Sequence, residues 1–323
     1  MVCMKLTTKT PRFSILIPTY NRSDLVRLTV DSVLAQSFSD YELIVIDDGS
    51  TDETVKMLEA YGPQVNVICQ KNSGPELARS NGAVAATGDY LVFLDNDDLL
   101  YPWALATYDR LIRDLNSPPL ILGAVKKFKE GDEHPKLEAG DDVVEYLHFR
   151  DFLSKDVSVN HICSQIVIKR SEALARGALR TGAWPYEPSD IMLRLCTSSP
   201  FIVMQRPYLI GYRMHATNTM KRTDFPFKAF SSLARSELRG DYPGGVARLF
   251  DRWAYIGGMA MFSTRWAIRR RQYRLAGYLV LNNGLMMPPA IFNRVKRFLR
   301  KATALSWLSD KIVVSSESSV RFT

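Results

Sequence analysis

Polar side chains, aspartates prominent among them, recur in this sequence where short apolar runs stop. Phe13 to Ile17 gives way to Pro18-Thr19-Tyr20-Asn21-Arg22. Tyr41 to Ile46 gives way to Asp47-Asp48-Gly49-Ser50-Thr51-Asp52, and Tyr90 to Leu94 to Asp95-Asn96-Asp97-Asp98. Aspartates gathered at one rim repel one another unless a cation sits among them. Their hard oxygens suit Mn2+ or Mg2+, ions that commonly share their coordination with substrate phosphates. Any one cluster could be only a turn or a helix cap. Three at corresponding positions point to one binding rim.

The segments between these clusters supply the frame. Strands are expected at Phe13–Ile17, Tyr41–Ile46, Val65–Cys69 and Tyr90–Leu94, with helices at about 23–36, 52–61, 75–86 and 102–115. Near-continuous apolar strands alternating with helices imply a parallel sheet covered on both faces. In such sheets ligands bind outside the carboxyl ends of the strands, where the polar clusters fall. Beyond Pro118-Pro119, strands are expected at 120–125, 162–168, 201–204 and 208–213, a helix at 190–196, and loops with short helices over 126–161. From about Phe225 the pattern is helical, with Pro288 and Pro289 as breakers. The expected organisation is an N-terminal extension at 1–11, an α/β catalytic domain at 12–222 and a helical, basic region at 223–323.

Four motifs in order, Ser14-Ile-Leu-Ile-Pro-Thr-Tyr-Asn-Arg22, Glu42-Leu-Ile-Val-Ile-Asp-Asp-Gly-Ser-Thr-Asp52, Ala78-Arg-Ser-Asn-Gly82 and Gly88-Asp-Tyr-Leu-Val-Phe-Leu-Asp-Asn-Asp-Asp98, resemble the family-2 glycosyltransferases. The strong likeness covers about residues 12–115. It implies a GT-A-like α/β fold, a mostly parallel central sheet flanked by helices and followed by a helical C-terminal region. It also implies transfer of one sugar, with inversion, from a nucleotide-sugar donor (UDP by resemblance) to a hydroxyl of a saccharide or lipid-linked saccharide acceptor. By the same likeness Pro18, Thr19, Tyr20, Asn21, Asp47 or Asp48, Arg79, Asp95 and Asn96 line the nucleotide site. Asp97 holds the metal, Asp95 contacts ribose or metal, and His215, within Tyr212-Arg-Met-His215, faces the diphosphate or completes the metal shell.

Inversion requires a base for the attacking hydroxyl. Relatives carry it as the Asp of a Glu-Asp pair in a pattern like Glu-Asp-x-Asp-x-x-x-Arg. Here that stretch is Glu187-Pro188-Ser189-Asp190-Ile-Met-Leu-Arg194, with proline at the expected position. Proline accepts no proton, which leaves Glu187, Asp190 or an altered activity. Glu187 gains from Pro188 at the first helical position, whereas Asp190 has an i,i+4 partner in Arg194.

The 323 residues carry 42 Lys and Arg against 34 Asp and Glu, a net charge of +8. Between Asp251 and Asp310 there is no acidic residue, although the stretch contains eleven Arg and Lys. Such asymmetry suggests an anionic partner. Ile291, Phe292, Val295, Phe298 and Leu299 form one helical stripe with basic residues between them, so residues 288–301 are a candidate for an anionic membrane surface. No run of about 18 apolar residues marks a spanning helix. No recognition module for nucleic acid is evident. Four scattered cysteines and no secretory signal suggest a cytoplasmic protein, peripheral on the membrane if the basic stripe docks there. A sugar nucleotidyltransferase should show a Gly-rich triphosphate loop after the first strand, and Pro18-Thr-Tyr-Asn-Arg is not one. A sugar-nucleotide-binding relative without transfer activity is the other alternative, raised by Pro188.

Overall fold

The computed structural model describes residues 10–133, 143–153, 161–179, 182–215, 231–292, 311–314 and 320–322. The expected boundary near 222 and the basic stripe beyond 292 lie outside the described residues.

The N-terminal half alternates as its apolar runs require. β1 (Phe13–Thr19), β2 (Tyr41–Asp47), β3 (Asn66–Cys69) and β4 (Tyr90–Phe93) are separated by α1 (Ser23–Leu34), α2 (Thr54–Glu59) and α3 (Pro75–Ala85). After β4 come β5 (Leu99–Leu100), α4 (Ala104–Asp114), β6 (Leu120–Leu122), β7 (Val125–Phe128) and β8 (Val144–Phe149). Then follow β9 (Ile166–Lys169), α5 (Arg170–Ala175), α6 (Glu187–Cys196), β10 (Phe201–Arg206) and β11 (Ile210–Arg213). The C-terminal region holds α7 (Ser231–Leu238), α8 (Leu249–Arg269), α9 (Tyr273–Asn283) and the strands β12 (Lys311–Val314) and β13 (Val320–Phe322).

The main sheet runs β13-β12-β8-β10-β6-β9-β4-β1-β2-β3. β1 is parallel to β2 and β4, and β2 to β3, whereas β9 is antiparallel to both β4 and β6. The α/β architecture with C-terminal helices agrees with the sequence expectation, its sheet parallel from β4 through β1 and β2 to β3. The 126–161 stretch differs, because β8 joins the sheet beside β10 within what looked like loops. Its alternation, Val144, Tyr146 and Phe149 buried with Glu145 and His148 less so, is short and broken by a charged neighbourhood.

Alternation along the strands divides the core into two layers. Leu16, Ile44, Ile46, Leu91 and Phe93 face α3, α6 and the C-terminal helices. Phe13, Ile15, Ile17, Leu43, Val45 and Val92 face α1 and α4. The first layer is shared with Leu233, Tyr242, Ile256, Ala260 and Met286, so one continuous core joins the sheet to the C-terminal helices. Pro288 and Pro289 do not end the helical path. A 3-10 turn at Gly284–Met286 precedes them, and they occupy the first turn of the helical segment 287–292, where a missing amide costs nothing.

A three-stranded sheet, β5-β11-β7, lies apart from the main one. β5 pairs antiparallel with β11 through Leu99–Gly211 and Leu100–Ile210. This pairing carries the residues after β11 back toward the Asp95–Asp98 loop.

Candidate active site

The loops that leave β1, β2 and β4 meet at the carboxyl edge of the sheet. Asn21 ties the first two together: its amide donates to Ser50 Oγ at 2.9 Å, and its Oδ1 accepts from the Thr51 amide at 2.8 Å. Asn96 Nδ2 donates to Thr19 Oγ1 at 3.3 Å, linking the third loop to the first. Tyr20 stands exposed at this rim, and Pro18 and Thr19 are buried beneath it.

The two aspartates at the end of β2 make separate contacts. Asp47 Oδ2 accepts from the Gly49 and Ser50 amides at 3.2 and 3.0 Å, closing a tight turn. Gly49 has φ +81°, and a Cβ there would sit 2.9 Å from the Asn72 amide nitrogen, so both conformation and space call for glycine. Asp47 Oδ1 is buried and has no hydrogen-bond partner, an acceptor left over for a ligand donor. Asp48 has no such spare capacity. Its Oδ1 accepts from Gln70 Nε2 (2.7 Å) and the Ser73 amide (2.8 Å), and its Oδ2 from the Gly74 amide (2.8 Å). Gly74 is the N-cap of α3, so Asp48 fixes the start of the helix that carries Arg79.

Arg79 is the hub. It is buried on α3, its Nη2 forms an ion pair with Asp95 Oδ1, and its Nη1 donates to Glu187 Oε2 at 2.5 Å. Its Nε has no partner. Arg79 is therefore an interior residue of α3 and not one of its solvent-facing side chains. Glu187, the first residue of α6, is buried, and Cys163 Sγ lies 3.6 Å from its Oε2. Burial pushes the Glu187 carboxyl up to about 7, even though Arg79 pulls the other way. The loop before Glu187 is held by Glu76 of α3, which accepts from the Gly182 and Ala183 amides at 2.5 and 2.9 Å.

Asp190, the other candidate base, is committed elsewhere. Its Oδ2 accepts from Arg194 Nε at 2.7 Å and its Oδ1 from the Tyr242 hydroxyl at 2.6 Å, in a buried cluster against α7. Both oxygens are occupied by protein donors.

On the other side of the rim, Asp97 Oδ2 and His215 Nε2 share a hydrogen bond of 2.8 Å. β11 delivers that histidine, and Arg213 Nε donates to the Asp97 carbonyl at 3.0 Å. Asp98 lies wholly inside, accepting from Ser164 Oγ at 2.6 Å and the Arg213 amide at 3.1 Å. Burial, then the charges of Asp95 and Asp97, drive its carboxyl well above the ordinary range. The Asp97 carboxyl also moves up, through burial and then Asp95. Sequence reasoning assigned no role to Asp98, Ser164, Cys163 or Glu76. Asp98 sits within the quoted motif, but nothing in the spacing of the other three marks them.

Among the described residues no group of three ligand-type side chains is assembled for a metal. Asp95 turns one oxygen to Arg79, leaving Asp97 and His215 as the pair that meets. One carboxylate and one imidazole fit a divalent cation only if ligand oxygens complete its shell, as diphosphates do for Mg2+.

Several known proteins resemble this chain. Residues 14–174, about half the chain, match the family model "Glycosyl transferase family 2". Uncharacterized glycosyltransferase YibD of Escherichia coli K12 is 38% identical over 100 residues, 30% of this chain and 29% of its own length. A Campylobacter jejuni protein named GalNAc(5)-diNAcBac-PP-undecaprenol beta-1,3-glucosyltransferase is 36% identical over 102 residues, 30% of this chain and 33% of its own. The matched stretch thus spans about a third of each relative. S. aureus TarS 1-349, solved in complex with UDP-GlcNAc, superposes with a TM-score of 0.60 at 15% identity, covering 96% of this chain and 98% of its own. At that identity the likeness is one of fold, and it extends through the C-terminal helices. With the four motifs meeting at one rim and the family model matched across them, the chain belongs to glycosyl transferase family 2.

Proposed function

We propose that the protein transfers a single sugar, with inversion, from a nucleoside diphosphate sugar to a hydroxyl of a saccharide or lipid-linked saccharide acceptor in cell-surface glycan synthesis. The observation that supports this reading is the junction at Arg79, which links Asp95, assigned here to the nucleotide, to Glu187, assigned here to the acceptor. Asp47 Oδ1, the spare buried acceptor, suits an N–H of the base, and Tyr20, beside it in the first loop, suits stacking. UDP is the favoured carrier, in keeping with the ligand of S. aureus TarS.

Glu187 is the proposed base. Its carboxylate takes the proton of the acceptor hydroxyl as the oxygen attacks the anomeric carbon and the bond to the diphosphate breaks. A base whose pKa lies near the working pH is suited to this task. Arg79 holds Glu187 and Asp95 in place and keeps positive charge beside the leaving group. Asp97 and His215 would hold Mn2+ or Mg2+, which when bound offsets the charge growing on the diphosphate. The free Cys69, Cys163 and Cys196 accord with a reducing, cytoplasmic setting.

The test is a panel of nucleotide sugars screened by thermal shift with and without Mn2+, followed by assay of nucleoside diphosphate release from the binders. A donor that stabilises the protein and is turned over supports the proposal. Binding without any release, with water or acceptor, would favour the non-transferring relative, and no binding at all would reject the site.

A further inference from the structure

The helical path from Tyr273 to Phe292 is twenty residues long, apolar, and only 28% buried. Ala276, Leu279, Asn283, Met286 and Ala290 form its buried stripe. Asn283 Nδ2 donates to Ser231 Oγ of α7 at 3.3 Å, and Met286 lies against Gly257 of α8. The opposite stripe faces outward and is the more hydrophobic of the two. Val280, Leu281, Leu285, Ile291 and Phe292 are exposed, Leu281 at 87% and Leu285 at 76%. Asn282 is the one polar side chain exposed between Leu275 and Phe292, and no charge occurs there. Helices that face water carry charge on that side. This one carries it only at its start, on the exposed Arg269, Arg270, Arg271 and Arg274.

We propose that this outward face of α9 and the segment to Phe292 is an interfacial docking surface for an anionic phospholipid bilayer. Charge selects the occupant. From residue 252 to 309 every charged side chain is positive, eleven in all. A second copy of the chain would bring two such sets together, and like charges brought face to face cost affinity. An anionic lipid surface instead offers apolar depth for the leucines and phosphates for the arginines. The helix lies in the interface and does not cross it, because its inner stripe is taken up by α7 and α8 and the 3-10 turn at Gly284–Met286 interrupts it. The proposal is independent of the transfer reaction.

Flotation of the full chain with vesicles of phosphatidylcholine alone, or with about a third phosphatidylglycerol, tests it without any activity assay. The wild type should rise with the anionic vesicles, stay down with the neutral ones, and be released by high salt. The double variant Leu281→Glu/Leu285→Glu should lose about tenfold or more in bound fraction, through lost apolar burial and added repulsion. Both positions are exposed, so its thermal midpoint should not move. Val84→Glu, an exposed apolar site on α3, should float as the wild type does. A wild type that stays down with anionic vesicles overturns the proposal. So does a double variant that floats equally well, or a lipid-free dimer that the double substitution dissociates.

Discussion

Glu187 and Asp190 stand one helical turn apart, yet their surroundings differ, and so do the outcomes expected of replacing them. Glu187 has a raised pKa and a guanidinium as its chief partner. Asp190 is saturated by Arg194 and Tyr242. Glu187→Gln should therefore lower the transfer rate by about 10²–10⁴-fold while donor binding and the thermal midpoint stay close to wild type. Asp190→Ala should do the reverse, destabilising the fold by about 3–5 kcal/mol because Arg194 is left buried without its carboxylate. Full turnover by Glu187→Gln would remove it as the base. The same shift sets a pH dependence. A base must be ionised, so kcat/KM should rise with pH through a midpoint near 7, which a rate profile measures directly. Stability moves the other way. A carboxyl raised above its unfolded value binds its proton more tightly when folded, so its contribution is complete below about 4.5 and is lost as pH climbs through about 7.

At the scale of elements, the strands and helices up to residue 115 were legible because period and punctuation agree there. Pro18 falls one residue before the end of β1, and Gly49 turns the chain after β2. What stayed hidden was set by pairing between distant segments. β5 is two residues long and exists because β11 lies beside it, and that pairing brings His215 to Asp97. The resemblance sets His215 and Asp97 at one metal, but the strand pairing that joins them leaves no mark in the sequence. In α9 the more apolar stripe faces outward, so periodicity alone points to the wrong face. Asp48 shows how a motif residue can act through an element. With three donors on its two oxygens it fastens the start of α3, and α3 carries Arg79 and Glu76. Asp48→Ala should cost about 1.5–3 kcal/mol in chemical denaturation and slow transfer through a displaced Arg79. Asp47→Asn should instead weaken donor binding with little loss of stability, because the affected oxygen has no protein partner. Calorimetric titration with the donor separates the two, and equal effects on affinity would refute this division of labour.

For the whole molecule, the question is whether the sheet that carries the site and the C-terminal helices are one cooperative unit. The sequence suggested a boundary, since composition and charge change after about residue 222. The core does not stop there. Met286, Ile256, Ala260 and Leu233 belong to the same buried layer as Leu16, Ile44 and Phe93. Tyr242 reaches Asp190 on α6, the helix that begins with Glu187. Gly257 lets α8 approach so closely that an added Cβ would fall 1.8 Å from the Met286 carbonyl oxygen. A defect in the C-terminal helices should therefore be felt at the nucleotide rim. Met286→Ala removes a side chain 2% exposed, and a large-to-small change in such a core costs about 2–5 kcal/mol. Met286 lies against Gly257 of α8, so if the two parts were independent the loss would be confined to the helices. In one unit, far-UV dichroism, tryptophan fluorescence and donor-induced stabilisation should all shift to lower denaturant together. A variant whose helices melt early while donor binding survives unchanged would show two units, and the shared core would then be packing without cooperativity.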